Sequence, residues 1–218
     1  MKLIINTLKK DSLYKLSEEE KTAIWNYRNL ISTKIQKGLP KLLSSVPYNN
    51  KSAVNEMHKL LSNWEDLGPV KSLELLDARY ADAKVREYAV RQLEKFTDVQ
   101  LTDYLLQLTQ VLKYEPYHDS ALARFLLKRA LGCKELGHMF FWFLKGEMHV
   151  PEISERYALL LEAYLRGAPV HRKQLMKQES LMQSLIKVAN EIKPLKDSER
   201  LNVERNSLKN LEINSSVV

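Results

Sequence analysis

The chain has 218 residues, 44% apolar and 28% charged, the balance of a soluble globular protein, and is long enough for one domain that buries about 70% of its unfolded surface. Its net charge of +7 sits at the ends: residues 1–50 carry nine Lys/Arg against four Asp/Glu, residues 166–218 ten against six, and the middle 15 against 17. The near-neutral middle argues against nucleic-acid binding, the single cysteine, Cys133, excludes an internal disulfide, and no apolar run approaches the roughly 20 residues that span a bilayer.

The opening MKLIINTLKK has only a three-residue apolar run, Leu3 to Ile5, too short for a secretory signal. The expected localisation is therefore cytoplasmic, with at most peripheral attraction of the basic ends to an acidic membrane. Residues 1–16 show no clear period and read as a leader. Ser17-Glu18-Glu19-Glu20 has the form of a capping box, in which the Ser17 hydroxyl takes the Glu20 N–H and the Glu20 carboxylate reaches back to the Ser17 N–H. Acidic residues in a first turn also suit the positive end of the helix dipole. The spacing predicts a helix from there to about Ser32, a break at Lys37-Gly38, and a short helix over Leu39 to Val46.

Asn50 to Trp64 is the next predicted helix, with Val54, Met57, His58 and Leu61 along one face. Gly68-Pro69 separates it from a helix over Val70 to Leu76. Asp82 caps a helix carrying Val85, Tyr88, Ala89 and Leu93, and Thr97-Asp98-Val99-Gln100 is a second capping box. The helix it opens repeats Leu101, Tyr104, Leu105, Leu108, Val111 and Leu112, a single apolar stripe at 3.6-residue spacing. Glu115-Pro116 stops it, because proline donates no N–H and disfavours helix in the residue before it. Asp119 or Ser120 can cap the following helix. That helix, with Ala121, Leu122, Phe125, Leu126, Leu127, Ala130 and Leu131, is apolar on almost every side and belongs in the middle of a helical stack.

Beyond it, Leu136, Met139, Phe140, Phe143 and Leu144 make one stripe, and Tyr157, Leu160, Leu161, Tyr164 and Leu165 another. Gly167 and Pro169 form a stop. A more polar helix over about Val170 to Ile192 ends near Pro194, and the remainder reads as a detached helix or a frayed tail. Helix starts near 82, 119 and 152 are spaced as in helical-hairpin repeats. The fold class expected is all-α, an irregular HEAT/armadillo-like α-solenoid of stacked helical hairpins. The domain organisation expected is a leader at 1–16, a helical domain at 17–192, and a linker or frayed tail at 193–218.

Chemistry is sparse in the pattern. Gly132 and Gly137 stand five apart, but His138-Met139 follow where a phosphate loop needs Lys and Ser/Thr, and Gly132 reads better as a helix C-cap. His58, His118, His138, His149 and His171 lack metal-ligand spacing. His118 beside Asp119 belongs to an interhelix turn rather than to a general base. Arg124, Lys128 and Arg129 are expected to pair with acids or snorkel, and Phe140, Phe141, Trp142 and Phe143 to be core. Cys133 reads as a small buried or interface residue. No catalytic residue, cofactor-binding residue or metal site is expected.

The run KYEPYHDSALARFLLKRAL, with Gly137-His138, FFWFL at Phe140 to Leu144 and LLLEAYLRG at Leu159 to Gly167, closely resembles the accessory helical (PIK) domain of the phosphoinositide 3-kinases. The likeness extends upstream through LELLDARYADAKVREYAVRQLEKF and more faintly to LSEEEKTAIWNYR, covering roughly residues 13 to 192. It implies a helical scaffold on which the lipid-binding and kinase domains of such an enzyme pack. The ATP and Mg²⁺ chemistry that phosphorylates the 3-hydroxyl of phosphatidylinositol lipids would lie in the separate kinase domain, whose Asp-Arg-His and Asp-Phe-Gly strings are not found in this sequence. In some members of that family the segment matching Glu18, Glu19 and Glu20 docks an SH2 domain of a regulatory subunit, so the resemblance marks these three as candidate partner-binding residues, while by themselves they read as a helix cap. Glu18 matches one acidic contact of that interface, whereas the second, three residues upstream, is Lys15 here. The alternative reading is a free-standing helical-repeat adaptor that binds a protein without any kinase.

Overall fold

A computed structural model of the chain describes residues 2–209. Among them are 13 α-helices, three short 3-10 turns and no strand. The first group is α1 (Lys2–Lys9), α2 (Glu18–Asn26), α3 (Arg28–Lys34), α4 (Leu39–Leu43), α5 (Lys51–Ser62), α6 (Pro69–Ser72) and α7 (Ala83–Leu93). It continues with α8 (Asp98–Val111), α9 (Ala121–Gly132), α10 (Lys134–Glu147), α11 (Pro151–Gly167), α12 (Pro169–Ile192) and α13 (Asp197–Lys209).

The helix starts follow local hydrogen-bond chemistry. Ser17 Oγ accepts from the Glu20 N–H at 3.2 Å while Glu20 Oε2 accepts from the Ser17 N–H at 3.0 Å, so the first capping box forms as the sequence predicts. Thr97 and Gln100 form the second. Asn50, Asp82 and Ser120 cap α5, α7 and α9 through their side-chain oxygens, which resolves the Asp119/Ser120 alternative in favour of Ser120. Asp119 instead pairs with Arg124. Gly68, at φ 79°, takes the backbone into a region that favours glycine just before Pro69 opens α6.

Three local features depart from the periodicity. Residues 1–16 are expected to be a leader without a clear period, yet Lys2–Lys9 form an amphipathic helix whose Ile4 and Thr7 are buried. The helix expected to run from Ser17 to Ser32 is broken at Tyr27 into α2 and α3. Gly132 is the last residue of α9 and has no positive φ, so its expected role as the C-cap is corrected: Cys133, half-buried and in an extended conformation, caps the helix. The last stretch is helical from Asp197 to Lys209.

The helices bury their stripes against near neighbours in the chain. α7 packs on α5 and α9, α8 on α10, and α9 on both α10 and α11. Leu101, Leu105, Leu108 and Leu112 from one side, Leu122, Phe125, Leu126 and Ala130 from the next, and Leu136, Phe140 and Leu144 from the third join one continuous core. Each leucine or phenylalanine among them contributes about 1.5–3 kcal/mol on burial. The central helix α9 is less enclosed than its composition suggests, since Leu131 lies exposed at its end.

Polar groups stitch the turns between these layers. Arg86 and Glu115 are each only 3% exposed and pair at 2.7 Å. The remaining Arg86 N–H groups donate to the backbone carbonyls of Leu76, Asp77 and Tyr80. From the opposite side Arg156 donates to the carbonyls of Glu115 and Tyr117. Thus the turn that Pro116 creates is clamped by arginines of α7 and α11. Tyr157 Oη donates to the Thr109 carbonyl at 2.8 Å, tying α11 to α8.

Candidate functional site

The acidic edge expected from the sequence divides in two. Glu18 has a side chain 87% exposed and pairs with Lys21 at 2.7 Å; Glu19 is also exposed. Glu20 turns inward: besides the Ser17 N–H its carboxylate accepts from Lys10 at 3.1 Å, Tyr14 Oη at 3.2 Å and Thr7 Oγ1 at 3.3 Å. It joins α1, the 10–17 connection and α2, and only Glu18 and Glu19 face outward for a partner.

The Ser17 N–H, then the Lys10 ammonium, hold the Glu20 carboxyl down from the ordinary 4.5 to about 2. A depressed carboxylate stabilises the fold above its unfolded pKa, and that contribution is lost as pH falls through the folded value. Glu20→Gln is therefore expected to flatten the pH dependence of urea unfolding between about pH 4.5 and 2. An unchanged dependence in the variant would show that Glu20 does not link α1 to α2.

A second surface lies at the other end. α12 has 24 residues, of which only His171 and Leu175 are buried, with Lys145–Glu179 adding an ion pair at 3.2 Å. Farther along, Met182, Leu185 and Ile186 are exposed, and α13, which packs on α12, exposes Leu201 and Leu208. Exposed apolar residues gathered on one hairpin are the mark of an interaction surface.

The anchor of α12 includes a titratable ring. His171 Nδ1 lies 2.7 Å from Tyr164 Oη, and the His138 ring stands 5.6 Å from it centre to centre. Burial, then the neighbouring His138 and Lys134, lower the His171 pKa below the ordinary 6.5. The unfolded chain accordingly takes up a proton before the folded one does, so the docking of α12 weakens as pH falls below about 6.5. Hydrogen exchange of α12 amides is expected to accelerate between pH 6.5 and 5, relative to α8 amides corrected for intrinsic rates. The effect should disappear in His171→Phe.

Nothing else among the described residues assembles a reacting centre. No three His, Cys, Asp or Glu side chains converge as metal ligands. His58 Nε2 lies 2.9 Å from Asp82 Oδ2, but Asp82 is already the cap of α7. The nearby Ser62 hydroxyl donates to the Lys59 carbonyl. His118 is exposed beside the turn, as expected, and Arg129 pairs with Asp98 and donates to the Phe96 carbonyl. Phe140 and Phe141 are core, with Trp142 and Phe143 packed against it. A recess of about 510 Å³ between α5, α7 and α9 has mixed charge from Lys84, Glu87, Arg91, Glu94 and Lys128. No described helix is long and apolar enough to cross a membrane.

The described residues thus form an all-α stack with exposed acids on α2 and exposed apolar side chains on α12 and α13. Residues 1–177 match the model of the phosphoinositide 3-kinase family accessory domain (PIK domain), and the chain belongs to that family. It is similar to phosphatidylinositol 3-kinase 1 of Dictyostelium discoideum, at 47% identity over 190 residues that cover 87% of this chain and 12% of that protein. Against phosphatidylinositol 3-kinase 2 of the same organism the identity is 47% over 184 residues, covering 84% of this chain and 10% of that protein. The chain thus corresponds to a small part of the curated relatives it matches.

Proposed function

We propose that this PIK domain is a non-catalytic helical scaffold of a phosphoinositide 3-kinase, in which the hairpins stack as a solenoid and the kinase and lipid-binding domains pack on their exposed ridges. The observation that carries the proposal is the α12–α13 hairpin, which leaves Met182, Leu185, Ile186 and Leu201 uncovered together. Apolar side chains held in this way gain about 25 cal/mol per Å² when a neighbouring domain covers them. Phosphorylation of the 3-hydroxyl of phosphatidylinositol lipids, with ATP and Mg²⁺, then belongs to the kinase domain. Docking of a regulatory subunit falls to Glu18 and Glu19, the outward-facing acids. Lys15 opposes such docking where a basic pocket would face it.

The test is binding of this chain to a separately expressed kinase domain of a phosphoinositide 3-kinase, with lipid kinase activity measured in each fraction. Binding is expected, with activity in the kinase fraction alone, and Leu185→Glu/Ile186→Glu is expected to abolish binding while leaving the unfolding midpoint unchanged. If no kinase domain binds, the free-standing adaptor replaces the scaffold. Glu18→Lys tests the acidic edge separately: unchanged affinity for an SH2 domain of a regulatory subunit removes that docking role.

A further inference from the structure

The connection between α1 and α2 closes over the end of α4 and leaves a cleft of about 270 Å³. Its charged lining residues are Lys15, Lys21, Lys41 and Arg79, accompanied by the hydroxyl-bearing Ser12 and Ser44, and no carboxylate lines it. Three of the cations are held in place. Lys21 is paired with Glu18, Arg79 with Asp77 at 3.0 Å, and Arg79 also donates to the Ser12 carbonyl; Lys41 is enclosed. The fourth, Lys15, is exposed and makes no ion pair among the described residues.

Lys41 is the unusual member. It is only 6% exposed, and its ammonium donates to the carbonyls of Asp11 at 2.7 Å and Tyr14 at 3.0 Å. A lysine ammonium has three N–H donors, and the third finds no acceptor among the described residues. Neither bond is to a carboxylate; the ammonium also stands 5.4 Å from the centre of the Tyr14 ring, and the Glu74 and Asp11 carboxylates act on it only from a distance. An isolated buried cation is costly unless it is paired. In keeping with this, burial lowers the Lys41 pKa, and the fields of Arg79 and Lys71 work in the same direction against those of Glu74 and Asp11. An anion seated in the cleft would offer the ammonium a third acceptor and a countercharge nearer than Glu74 or Asp11.

We propose that this cleft binds a phosphomonoester carried on a peptide side chain. The volume exceeds that of a phosphate group and leaves room for the side chain bearing it. Cations from three separate segments surround the recess, which suits the tetrahedral oxygens of a phosphate through charge-assisted hydrogen bonds. A flat anionic membrane fits less well, because the carboxylates of Glu18 and Glu19 project from the adjoining turn of α2 and repel it. A peptide whose phosphorylated residue is flanked by arginines matches both the basic floor and those acids. This inference stands apart from the scaffold reading and uses none of the α12–α13 surface.

The experiment is fluorescence anisotropy of the full chain with labelled phosphoserine and phosphotyrosine nonapeptides flanked by arginines. Their unphosphorylated counterparts, inorganic phosphate as competitor, and phosphatidylserine vesicles form the other arms. At least one phosphopeptide is expected to bind roughly tenfold or more tightly than its unphosphorylated form, the loss reflecting charge-assisted bonds. Inorganic phosphate should displace it. Lys15→Glu, at an exposed position, should weaken binding by about tenfold with an unchanged unfolding midpoint, and Lys41→Met should weaken it further. The proposal is overturned if phosphorylation makes no difference, if Lys15→Glu binds as the wild type does, or if vesicles bind as tightly and displace the peptide, in which case the cleft serves a membrane surface.

Discussion

Arg86→Met is expected to destabilise the domain by about 3–5 kcal/mol, the cost of leaving a buried carboxylate without its countercharge. The variant strands Glu115, itself 3% exposed, and releases the carbonyls of Leu76, Asp77 and Tyr80 from their donors. The loss corresponds to a fall in unfolding midpoint on the order of 10 °C for a domain of this length. The double variant Arg86→Met/Glu115→Leu should recover a substantial part of it, because replacing both charges by apolar side chains removes the uncompensated ion. Urea unfolding of the two singles and the double forms the required cycle. Independent, additive losses would mean that the pair is not coupled and that Arg86 acts only through the backbone carbonyls.

The second large effect concerns helix spacing. A Cβ at Gly137 would lie 2.6 Å from the Ala130 carbonyl oxygen and closer still to Tyr164 Oη. Neither neighbour can yield cheaply: one is the backbone of α9, and the other is a buried ring whose hydroxyl meets His171. Gly137→Ala is therefore expected to cost about 3 kcal/mol, at the upper end for overpacking, and to loosen α12 by shifting Tyr164. Gly146 lies in the same helix, and a methyl group there would meet nothing within 4 Å, so Gly146→Ala should be neutral or stabilising by up to about 1 kcal/mol. Equal effects at the two positions in thermal unfolding would rule out close helix approach as the reason for glycine at 137.

These two predictions rest on residues to which the linear pattern assigns other work. Glu115 reads as the partner of Pro116 in a helix stop, which it is, but its carboxylate also meets an arginine 29 positions earlier. Gly137 stands out in the sequence only through a phosphate-loop spacing that its neighbours exclude. Lys41, inside the apolar run Leu39 to Val46, carries no sign that its ammonium is enclosed by the carbonyls of residues 11 and 14. Of the three acids proposed for docking, Glu20 belongs equally to the capping box and to a network with Lys10, Tyr14 and Thr7. The box is legible because its partners are three residues apart; the network is not, because its members lie 6, 10 and 13 residues from Glu20 on other elements.

What the sequence by itself determined are the features decided within one or two helical turns: the caps at Ser17, Asp82 and Thr97, the stop at Pro116, and the stripes of α8, α10 and α11. Those depend on backbone hydrogen bonds and on a 3.6-residue repeat, both of which are local. The family, too, was legible, through the run from Lys113 to Leu131. Only the tertiary structure decided which charges are enclosed, which glycine lies under a neighbouring ring, and which apolar residues of α12 stay uncovered. A side chain's burial is set by elements that arrive from tens of residues away, and neither its identity nor its spacing encodes which of its faces they will occupy.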